Sequence, residues 1–215
     1  MRIAPEGRPF VAVAISVLGA FTAAAGAWGF WWWAALGLWV PLALWVPWFF
    51  RDPARSGPRG AHLAIAPADG RVVNVVEVHE PTVIGGPALR VSVFMHVLNV
   101  HVNRYPVDGE VTHRDYHAGR FFNATLDKAS EHNERMSIGL RTPHGPVLVR
   151  QIAGLIARRI VTDAHVGDPA RQGERLGIIR FGSRVDTFFP PSIQLRVAVG
   201  DHTVAGVTVI GEWPA

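Results

Sequence analysis

A glycine followed by a serine, Gly182 and Ser183, joins two apolar segments near the C-terminal end of the chain. The segments are Leu176–Ile179 and Val185–Phe189, so we expect the pair to lie at the end of a buried strand and not in a polar loop. Glycine allows close approach to its carbonyl, and the serine hydroxyl that follows can attack that carbonyl. The pair therefore permits an N→O acyl shift that cleaves the chain, with Ser183 as the nucleophile.

The hydroxyl of Ser183 needs a base, because serine is a poor nucleophile at neutral pH. Histidine is the usual base, and among the ten histidines His101 stands in an alternating polar and apolar run. If that run is a strand, Asn99, His101 and Asn103 share one face. His101 is therefore the predicted base, and His96 is the alternative.

A carboxylate that could orient the base lies in a tight Asp-Gly turn at Asp69 and Gly70. In an arbitrary protein such a pair more often closes a turn, with the aspartate bonding its own backbone and the glycine supplying a positive φ. Both interpretations of Asp69 stay open on the residues alone. A second Asp-Gly turn, at Asp108, is interpreted as structural.

Four segments of the chain resemble, in the same order, the phosphatidylserine decarboxylases, in particular their short form. They are Pro67–Gly70, Asn99–Arg104, Asn123–Arg135 and Arg180–Asp186. The resemblance implies a carboxy-lyase that converts phosphatidylserine to phosphatidylethanolamine after it has cleaved itself between Gly182 and Ser183. It also implies that Asp69 orients His101, and that His101 takes the proton of Ser183.

The resemblance further implies a cofactor made from the chain itself. Self-cleavage leaves a pyruvoyl group in place of Ser183, which forms a Schiff base with the substrate amine and withdraws electrons while CO₂ leaves. The implied products of cleavage are a β chain, residues 1–182, and an α chain, residues 183–215, which stay together as a heterodimer. The implied partners are the phospholipid substrate and a membrane.

Two positions depart from the longer bacterial members of this family. Those members have a second histidine where Arg104 stands and a threonine where Arg184 stands. The residue at 184 agrees with the short class. The arginine at 104 leaves open whether His101 serves both processing and decarboxylation, or whether His96 takes one of the two roles.

The polar segment Asn123–Arg135 is predicted to line the site. Lys128 and Arg135 are suited to the phosphate or carboxylate of the substrate, and Asn123 is the third candidate contact. A solvated loop with local salt bridges is the alternative. No metal site is predicted, because the chain has no cysteine and no His-x-x-x-His spacing on a predicted helix.

Residues 9–50 contain no charged side chain. This run is too long for a signal-peptide core and long enough for two helical spans of about 20 residues. The predicted spans are Phe10–Trp28 and Phe30–Phe50, in a hairpin that anchors the protein to the cell membrane. Arginines at both ends favour a catalytic domain on the cytoplasmic face, with Arg51, Arg55 and Arg59 facing lipid phosphates. One long kinked span, or a re-entrant hairpin, is the alternative.

Three regions follow from this pattern: an anchor over residues 1–50, a Pro-, Gly- and Arg-rich linker over 51–61, and a catalytic domain over 62–215. Seven segments of the last region predict strands, among them Val147–Ile152 and Thr203–Ile210. Its main helical candidate is Ala153–Val161 or a piece of it. A Pro-x-Asp-Gly turn occurs twice. The expected fold is mainly β (α+β), a flattened barrel or sandwich of two related halves that resembles a barrel-sandwich hybrid.

Two other functions stay open from the sequence. One is decarboxylation of another serine-containing lipid, such as archaetidylserine. The other is a non-enzymatic membrane-anchored module of the lipoyl or biotinyl kind, because Asp127–Ala129 matches the carrier lysine tripeptide. The net charge of +4 favours an anionic leaflet. Nucleic acid is not an expected partner, because no basic helix or aromatic RNA-binding motif is present.

Overall fold

The computed structural model describes residues 2–119, 133–154, 159–180 and 183–214. The chain divides into two compact units, Met1–Ala54 and Arg55–Ala215. The boundary between them falls inside the segment 51–61 that was expected to be a linker. The first unit is mainly helical, and the second is built from strands.

The first unit is a helical hairpin closed by a short pair of strands. Strand β1 (Arg2–Ile3) leads through a 3-10 turn into helix α1 (Arg8–Trp28) and helix α2 (Phe30–Phe49). Gly29, with a φ of 92°, reverses the chain between the helices. Strand β2 (Arg51–Asp52) then pairs antiparallel with β1. The two ends of the hairpin therefore lie side by side, and the predicted helical hairpin is confirmed.

Both helices are long and apolar enough to cross a membrane, by length and composition. The hairpin also exposes large apolar side chains to an extent that is unusual for a soluble surface. Trp28, Phe30 and Trp31 are between 72% and 81% exposed. Helix α2 stays continuous through Pro41 and Pro47.

The second unit contains fourteen strands within its described residues. They are β3 (Leu63–Ile65), β4 (Gly70–Glu80), β5 (Gly86–Met95), β6 (Val102–Arg104), β7 (Gly109–His117), β8 (Arg135–Thr142), β9 (Gly145–Ala153), β10 (Ile160–Thr162), β11 (Pro169–Ala170), β12 (Arg175–Ile179), β13 (Ser183–Phe189), β14 (Gln194–Leu195), β15 (His202–Thr203) and β16 (Val209–Glu212). The prediction of a mainly β fold is confirmed.

One antiparallel sheet of eight strands dominates this unit, in the order β11-β7-β8-β9-β13-β5-β4-β15. The strands are arranged in the same way from either edge to the centre. A two-residue edge strand (β11 or β15) comes first, and next to it lies a strand that begins at a Pro-x-Asp-Gly turn (β7 or β4). The following strand of the chain (β8 or β5) and a central strand (β9 or β13) complete each half. The two halves meet where β9 pairs with β13, and the sheet curls into a half-barrel.

The two Pro-x-Asp-Gly turns occupy equivalent places in these halves. Gly70 begins β4 and Gly109 begins β7. Each glycine lies so close to a carbonyl oxygen of the neighbouring strand that a side chain there would collide with it. Each strand also has a β-bulge that begins two residues after its glycine. The repeated turn in the sequence therefore marks two halves that are related in structure.

Two small antiparallel sheets complete the unit, in the orders β10-β12-β6 and β14-β16-β3. The first of them joins two segments that matter for the site. Its strand β6 begins just after His101, and its strand β12 ends just before Ser183. Because β6 pairs with β12, these two segments of the chain are held together by backbone hydrogen bonds.

The main hydrophobic core lies on one face of the eight-stranded sheet. Strand β13, whose seven residues are all buried, supplies Val185 and Phe189 to this core, and β5 supplies Val91, Val93 and Met95. Because side chains alternate along a strand, the odd-numbered residues of β13 face the core. The even-numbered residues face the other side of the sheet.

A helix was predicted over Ala153–Val161 or a piece of it, and the full range is wrong because both of its ends are strands. Ala153 ends β9, and Ile160 and Val161 belong to β10; residues 155–158 lie outside the described residues. A short apolar run fits a buried strand as well as a helix, and pairing with β12 decides for the strand. The predicted strand Thr203–Ile210 is likewise divided, into β15 and β16, by a turn between them.

Candidate active site

Ser183 is the first residue of β13, at the centre of the large sheet. It pairs with Met95 of β5 on one side and with Ala153 of β9 on the other. Its side chain is fully buried, and its hydroxyl has no hydrogen-bond partner in the described part of the chain. Leaving a buried hydroxyl unpaired costs roughly 1–3 kcal/mol. A catalytic role is one explanation for such a group; Ser92 and Thr187 share the property, so it is the location of Ser183 after Gly182 that distinguishes it. Gly182 itself lies outside the described residues.

His101 is fully buried, but the strand expected over its neighbours is only partly present. The chain turns through Asn99, and β6 begins at Val102. The Nδ1 atom of His101 lies 3.0 Å from the carbonyl oxygen of Asn99. Because a carbonyl can only accept, Nδ1 carries the proton and Nε2 is the basic nitrogen of the neutral ring. The His101 carbonyl accepts a hydrogen bond from Ile179, four residues before Ser183.

Asp69 directly precedes β4, and its carboxylate is held by two donors. Arg55 Nη2 lies 2.7 Å from Oδ2, and the Ala205 amide donates to Oδ1 over 2.8 Å. Neither partner is His101, so the structure does not join these two candidates directly within its described contacts. Arg55 was expected to face lipid phosphates; instead it forms this ion pair, and Arg59 donates to the Gly206 carbonyl.

The register of the sheet nevertheless brings Asp69 and Ser183 to the same end. Arg71 of β4 and Arg184 of β13 both pair with Phe94 of β5. Asp69, which directly precedes β4, and Ser183, which begins β13, therefore lie on either side of the end of β5. Strands separated by one neighbour are about 10 Å apart. The topology thus gathers Asp69, Ser183 and the turn that carries His101 at one end of the sheet.

Two buried amides complete this end of the sheet. Asn103 Nδ2 donates to the sulfur of Met95 over 3.4 Å, and Gln151 Nε2 donates to Asn103 Oδ1 over 2.8 Å. Both side chains are fully buried. The sequence placed Asn103 beside His101 but did not single out Gln151. The available signal was a glutamine on the otherwise apolar face that Val147 and Val149 form along a predicted strand, because a buried amide needs partners.

The remaining candidates are placed as follows. Arg104 donates to the Gly173 carbonyl over 3.0 Å. Arg135 is the first residue of β8. Lys128 and Asn123 lie outside the described residues. His96 is exposed and accepts a hydrogen bond from the Leu98 amide, so it lacks the burial that His101 has.

The face of the sheet away from the core carries a buried set of charges. Arg184 and Asp186, both essentially inaccessible, form two contacts, Nε to Oδ1 at 2.8 Å and Nη2 to Oδ2 at 3.0 Å. Arg150 lies 3.7 Å from Glu80 on the same face. Burial lowers the pKa of the Arg150 guanidinium, and the carboxylates of Asp186 and Glu80 oppose that shift. Because side chains alternate along β13, these charges lie on the opposite face of the sheet from the Ser183 side chain.

Within the described ranges, no group of three or more His, Asp or Glu side chains could hold a metal ion. The chemistry that the site offers comes from a buried hydroxyl, a buried imidazole and a carboxylate at one sheet end. This set is suited to acyl transfer at the peptide bond that precedes the serine.

Comparison with known proteins identifies the class. The family model described as phosphatidylserine decarboxylase matches residues 42–211. The chain is similar to the "Phosphatidylserine decarboxylase proenzyme" of Symbiobacterium thermophilum, with 50% identity over 99% of this chain and 96% of the relative. The proteins of the same name from Aromatoleum aromaticum and Magnetococcus marinus are 48% and 46% identical, over 99% and 97% of this chain and 96% and 94% of the relatives.

These similarities place the protein in the class of carboxy-lyases. The chain belongs to the phosphatidylserine decarboxylase family. The match covers nearly all of the β-rich unit and part of helix α2. It argues against the non-enzymatic carrier module that the Asp127–Ala129 tripeptide had left open.

Proposed function

We propose that this protein is a self-processing enzyme that decarboxylates phosphatidylserine to phosphatidylethanolamine, with a pyruvoyl group made from Ser183 as its cofactor. The observation that carries the proposal is the Ser183 hydroxyl. It is buried, has no partner within the described residues, and begins the central strand in the segment that resembles the processing site of the family. The relatives are named proenzymes, which fits a chain that is cleaved.

The proposed cleavage begins at Ser183. His101 takes the hydroxyl proton, and the oxygen attacks the Gly182 carbonyl carbon, so that the peptide bond becomes an ester and the Ser183 nitrogen becomes an amine. Loss of the Ser183 Cα proton and of the ester oxygen leaves a carboxylate on Gly182 and a dehydroalanine at position 183. Water then replaces the nitrogen, which leaves as ammonia, and a ketone remains at position 183.

Asp69 is proposed to stabilise the imidazolium that His101 becomes during this step. The support is the family motif together with the location of Asp69 at the same end of the sheet as Ser183. The carboxylate of Asp69 is bonded to Arg55 and to the Ala205 amide, but its oxygens keep lone pairs that can accept a further hydrogen bond. Because Nε2 of His101 acts as the base, this role requires that the Nδ1–H group move from the Asn99 carbonyl to Asp69 during processing.

The group made from Ser183 supplies the electron-withdrawing carbonyl to which the substrate amine attaches while CO₂ leaves. The site fits this group, because residue 183 is buried and its side-chain oxygen has no hydrogen-bond partner within the described residues. His101, proposed as the acid, then protonates the substrate carbon that has lost CO₂. Arg135 is proposed to bind the phosphate or carboxylate, together with Lys128 and Asn123, which lie outside the described residues.

The strand pairing supports a stable heterodimer after cleavage. The α chain, residues 183–215, would keep β13 between β5 and β9, β15 against β4, and β16 against β3. All of these partner strands belong to the β chain, residues 1–182. Backbone hydrogen bonds and the shared core would therefore hold the two products together without a covalent link.

The hairpin is proposed to anchor the enzyme in the cell membrane with the catalytic unit on the cytoplasmic face. A diacyl lipid does not readily leave the bilayer, so the enzyme has to act at its surface. Pairing of β1 with β2 keeps both ends of the hairpin together. Arginines lie at both ends, which favours the cytoplasmic side for both.

Intact mass spectrometry of the purified protein tests the proposal. We expect two chains that correspond to residues 1–182 and 183–215, with the smaller one lighter by one ammonia than a fragment that begins with serine. An active preparation that contains only the full-length chain would contradict the proposal. Assays on phosphatidylserine and on archaetidylserine decide between the two lipid backbones.

A further inference from the structure

Met95, Asn103 and Gln151 form a chain of hydrogen bonds on the sheet face that Ser183 shares. Asn103 Nδ2 contacts the Met95 sulfur, and Gln151 Nε2 contacts Asn103 Oδ1. All three side chains are fully buried. The chain ends at Gln151 Oε1, a buried oxygen with no hydrogen-bond partner in the residues that the structure describes.

The direction of this chain is fixed at the methionine. A thioether sulfur can accept a hydrogen bond but has no hydrogen to donate. Asn103 must therefore turn its NH₂ group toward Met95, which leaves its carbonyl oxygen to accept from Gln151. Gln151 in turn uses its NH₂ group for Asn103, so the free end of the chain is an acceptor. Reversing either amide would place two acceptors against each other.

The free acceptor lies near the reacting residue. Ser183 pairs with Ala153, and Val185 pairs with Gln151, so Gln151 is the diagonal neighbour of Ser183 on the same face of the sheet. Diagonal neighbours have Cα atoms about 7–8 Å apart, within reach of a long side chain. Met95, at the other end of the hydrogen-bonded chain, lies directly opposite Ser183 on β5.

Two buried polar groups near each other, Gln151 Oε1 and Ser183 Oγ, thus have no partner in the described part of the protein. An unpaired buried oxygen costs roughly 1–3 kcal/mol. The cost is recovered if a ligand brings an N–H group to the site. Under the function proposed above, the group that arrives at position 183 is the primary amine of the lipid headgroup.

We propose that Gln151 is a substrate-positioning residue whose side-chain oxygen accepts a hydrogen bond from the headgroup amine beside residue 183, and that Asn103 and Met95 hold this oxygen in the accepting orientation. The inference rests on the proposed function. It assigns a role to three side chains that the self-cleavage step does not use.

A neutral acceptor has a chemical advantage over a carboxylate at this place. The amine must lose its proton before its nitrogen can attack a carbonyl. A carboxylate beside it would favour the ammonium form and raise the pKa of the amine, whereas an amide oxygen orients the N–H group without adding charge. Gln151 therefore orients the headgroup amine and leaves it reactive.

Reductive capture of a lipid amine tests the role of Gln151 apart from decarboxylation. The full chain in detergent micelles is incubated with dihexanoyl-phosphatidylethanolamine, which has the amine but no carboxylate to lose, and with cyanoborohydride. The amine nitrogen bonds to the carbonyl carbon at position 183, the carbonyl oxygen leaves as water, and the reductant supplies hydride. The mass gain of the 183–215 fragment then measures the rate of capture.

We expect Gln151→Met to be cleaved fully and to capture the lipid at least about tenfold more slowly than the wild type, the effect of one hydrogen bond to a polar ligand group. Gln172→Met is the matched control, since Gln172 is a buried glutamine whose amide is fully bonded to Gly60, Leu63 and Pro106. It should lose stability but keep its capture rate. Equal capture rates for the wild type and Gln151→Met would overturn the inference.

Gln151→Glu keeps the shape and an acceptor, and it separates positioning from packing if Gln151→Met folds poorly. We expect its capture to persist but with a pH profile displaced to higher pH, because the new carboxylate favours the ammonium form. An unchanged pH profile in this variant would also overturn the inference. If the wild-type chain is cleaved and decarboxylates lipid, and both variants behave like it, the proposed function stands and the role of Gln151 is contradicted. If the wild-type chain captures no lipid amine, both the proposed function and the role of Gln151 are contradicted.

Discussion

Arg55 and Asp69 form a partly buried ion pair, with 2.7 Å between Nη2 and Oδ2. The pair joins the first residue of the β-rich unit to the turn that begins β4. A bond to the Ala205 amide occupies the second oxygen of Asp69. The carboxylate that the family motif assigns to processing is therefore also a structural link, and the two roles have to be separated by experiment.

We predict that Asp69→Asn slows self-cleavage by up to about 10⁴-fold, the loss seen when a carboxylate that supports a catalytic histidine becomes an amide. The shape of the side chain is kept, so thermal unfolding should show a folded protein. The time course of cleavage, followed by gel or intact mass, measures the effect. Asp108→Asn is the matched control, because Asp108 lies in the equivalent turn and its carboxylate accepts a hydrogen bond from the backbone N–H group of Gln172. Comparable slowing in both variants would assign Asp69 a structural role only.

Replacement of His101 by alanine should slow cleavage by roughly 10²–10⁴-fold, the usual contribution of a general base. Its Nε2 is the basic nitrogen, because Nδ1 is bonded to the Asn99 carbonyl. His96→Ala is the control and should mature at the normal rate, since His96 is exposed. The reverse result, with slow maturation only in His96→Ala, would move the base to His96.

The variant Ser183→Ala is expected to remain a single chain without decarboxylase activity, because it has no nucleophile and no source of the cofactor. Ser92→Ala provides a control of the same type. Ser92 is also fully buried with an unpaired hydroxyl in the described part of the chain, but it lies on β5 opposite Asp186 and faces away from the core. This variant should yield two chains by intact mass. Two chains from Ser183→Ala would exclude Ser183 as the nucleophile.

Deletion of residues 1–54 should leave a unit that still cleaves itself, since the candidate processing residues all belong to Arg55–Ala215. Arg55 has to be retained to pair with Asp69. Turnover of lipid in vesicles should fall by roughly 10²-fold, because the hairpin no longer concentrates the enzyme at the surface, while turnover of a soluble short-chain lipid should fall much less. A folded but uncleaved fragment, or equal loss on both substrates, would show that the hairpin contributes to the site itself.

Glu80 provides a test of stability against pH. Burial alone would raise the pKa of this carboxyl group, but hydrogen bonds from the Ile84, Val83 and Thr82 amides and the charge of Arg150 outweigh burial and lower it below its ordinary value of 4.5. A lowered pKa in the folded state stabilises the protein at pH values above 4.5, and this contribution is lost as the pH falls through the folded-state pKa.

We therefore expect Glu80→Gln to reduce the free energy of unfolding at neutral pH by roughly 1–3 kcal/mol. The difference between the variant and the wild type should shrink as the pH falls below 4.5. Thermal unfolding of both proteins between neutral and acid pH measures it. A difference that does not change with pH would mean that the charge of Glu80 contributes nothing to stability.

The sequence by itself predicted the features that depend on local chemistry. The charge-free run of residues 9–50 predicted the helical hairpin, because length and apolarity alone decide whether a helix can span a bilayer. The repeated Pro-x-Asp-Gly turn predicted two related halves, because glycine at the start of each strand is required by a nearby backbone carbonyl. The Gly182-Ser183 pair marked the proposed cleavage site, since attack of a hydroxyl on the adjacent carbonyl involves only neighbouring residues.

The tertiary structure decided the contacts between residues that are distant in the chain. Asp69 bonds Arg55 and Ala205, and Gln151 joins Asn103, pairings that no local pattern specifies. The segment Ala153–Val161 fits a helix or a strand by its spacing, and β12 settles it for Ile160 and Val161. Sequence pattern states which side chains are apolar or reactive, but the partner of each buried polar group is set by strand register, which only the folded sheet defines.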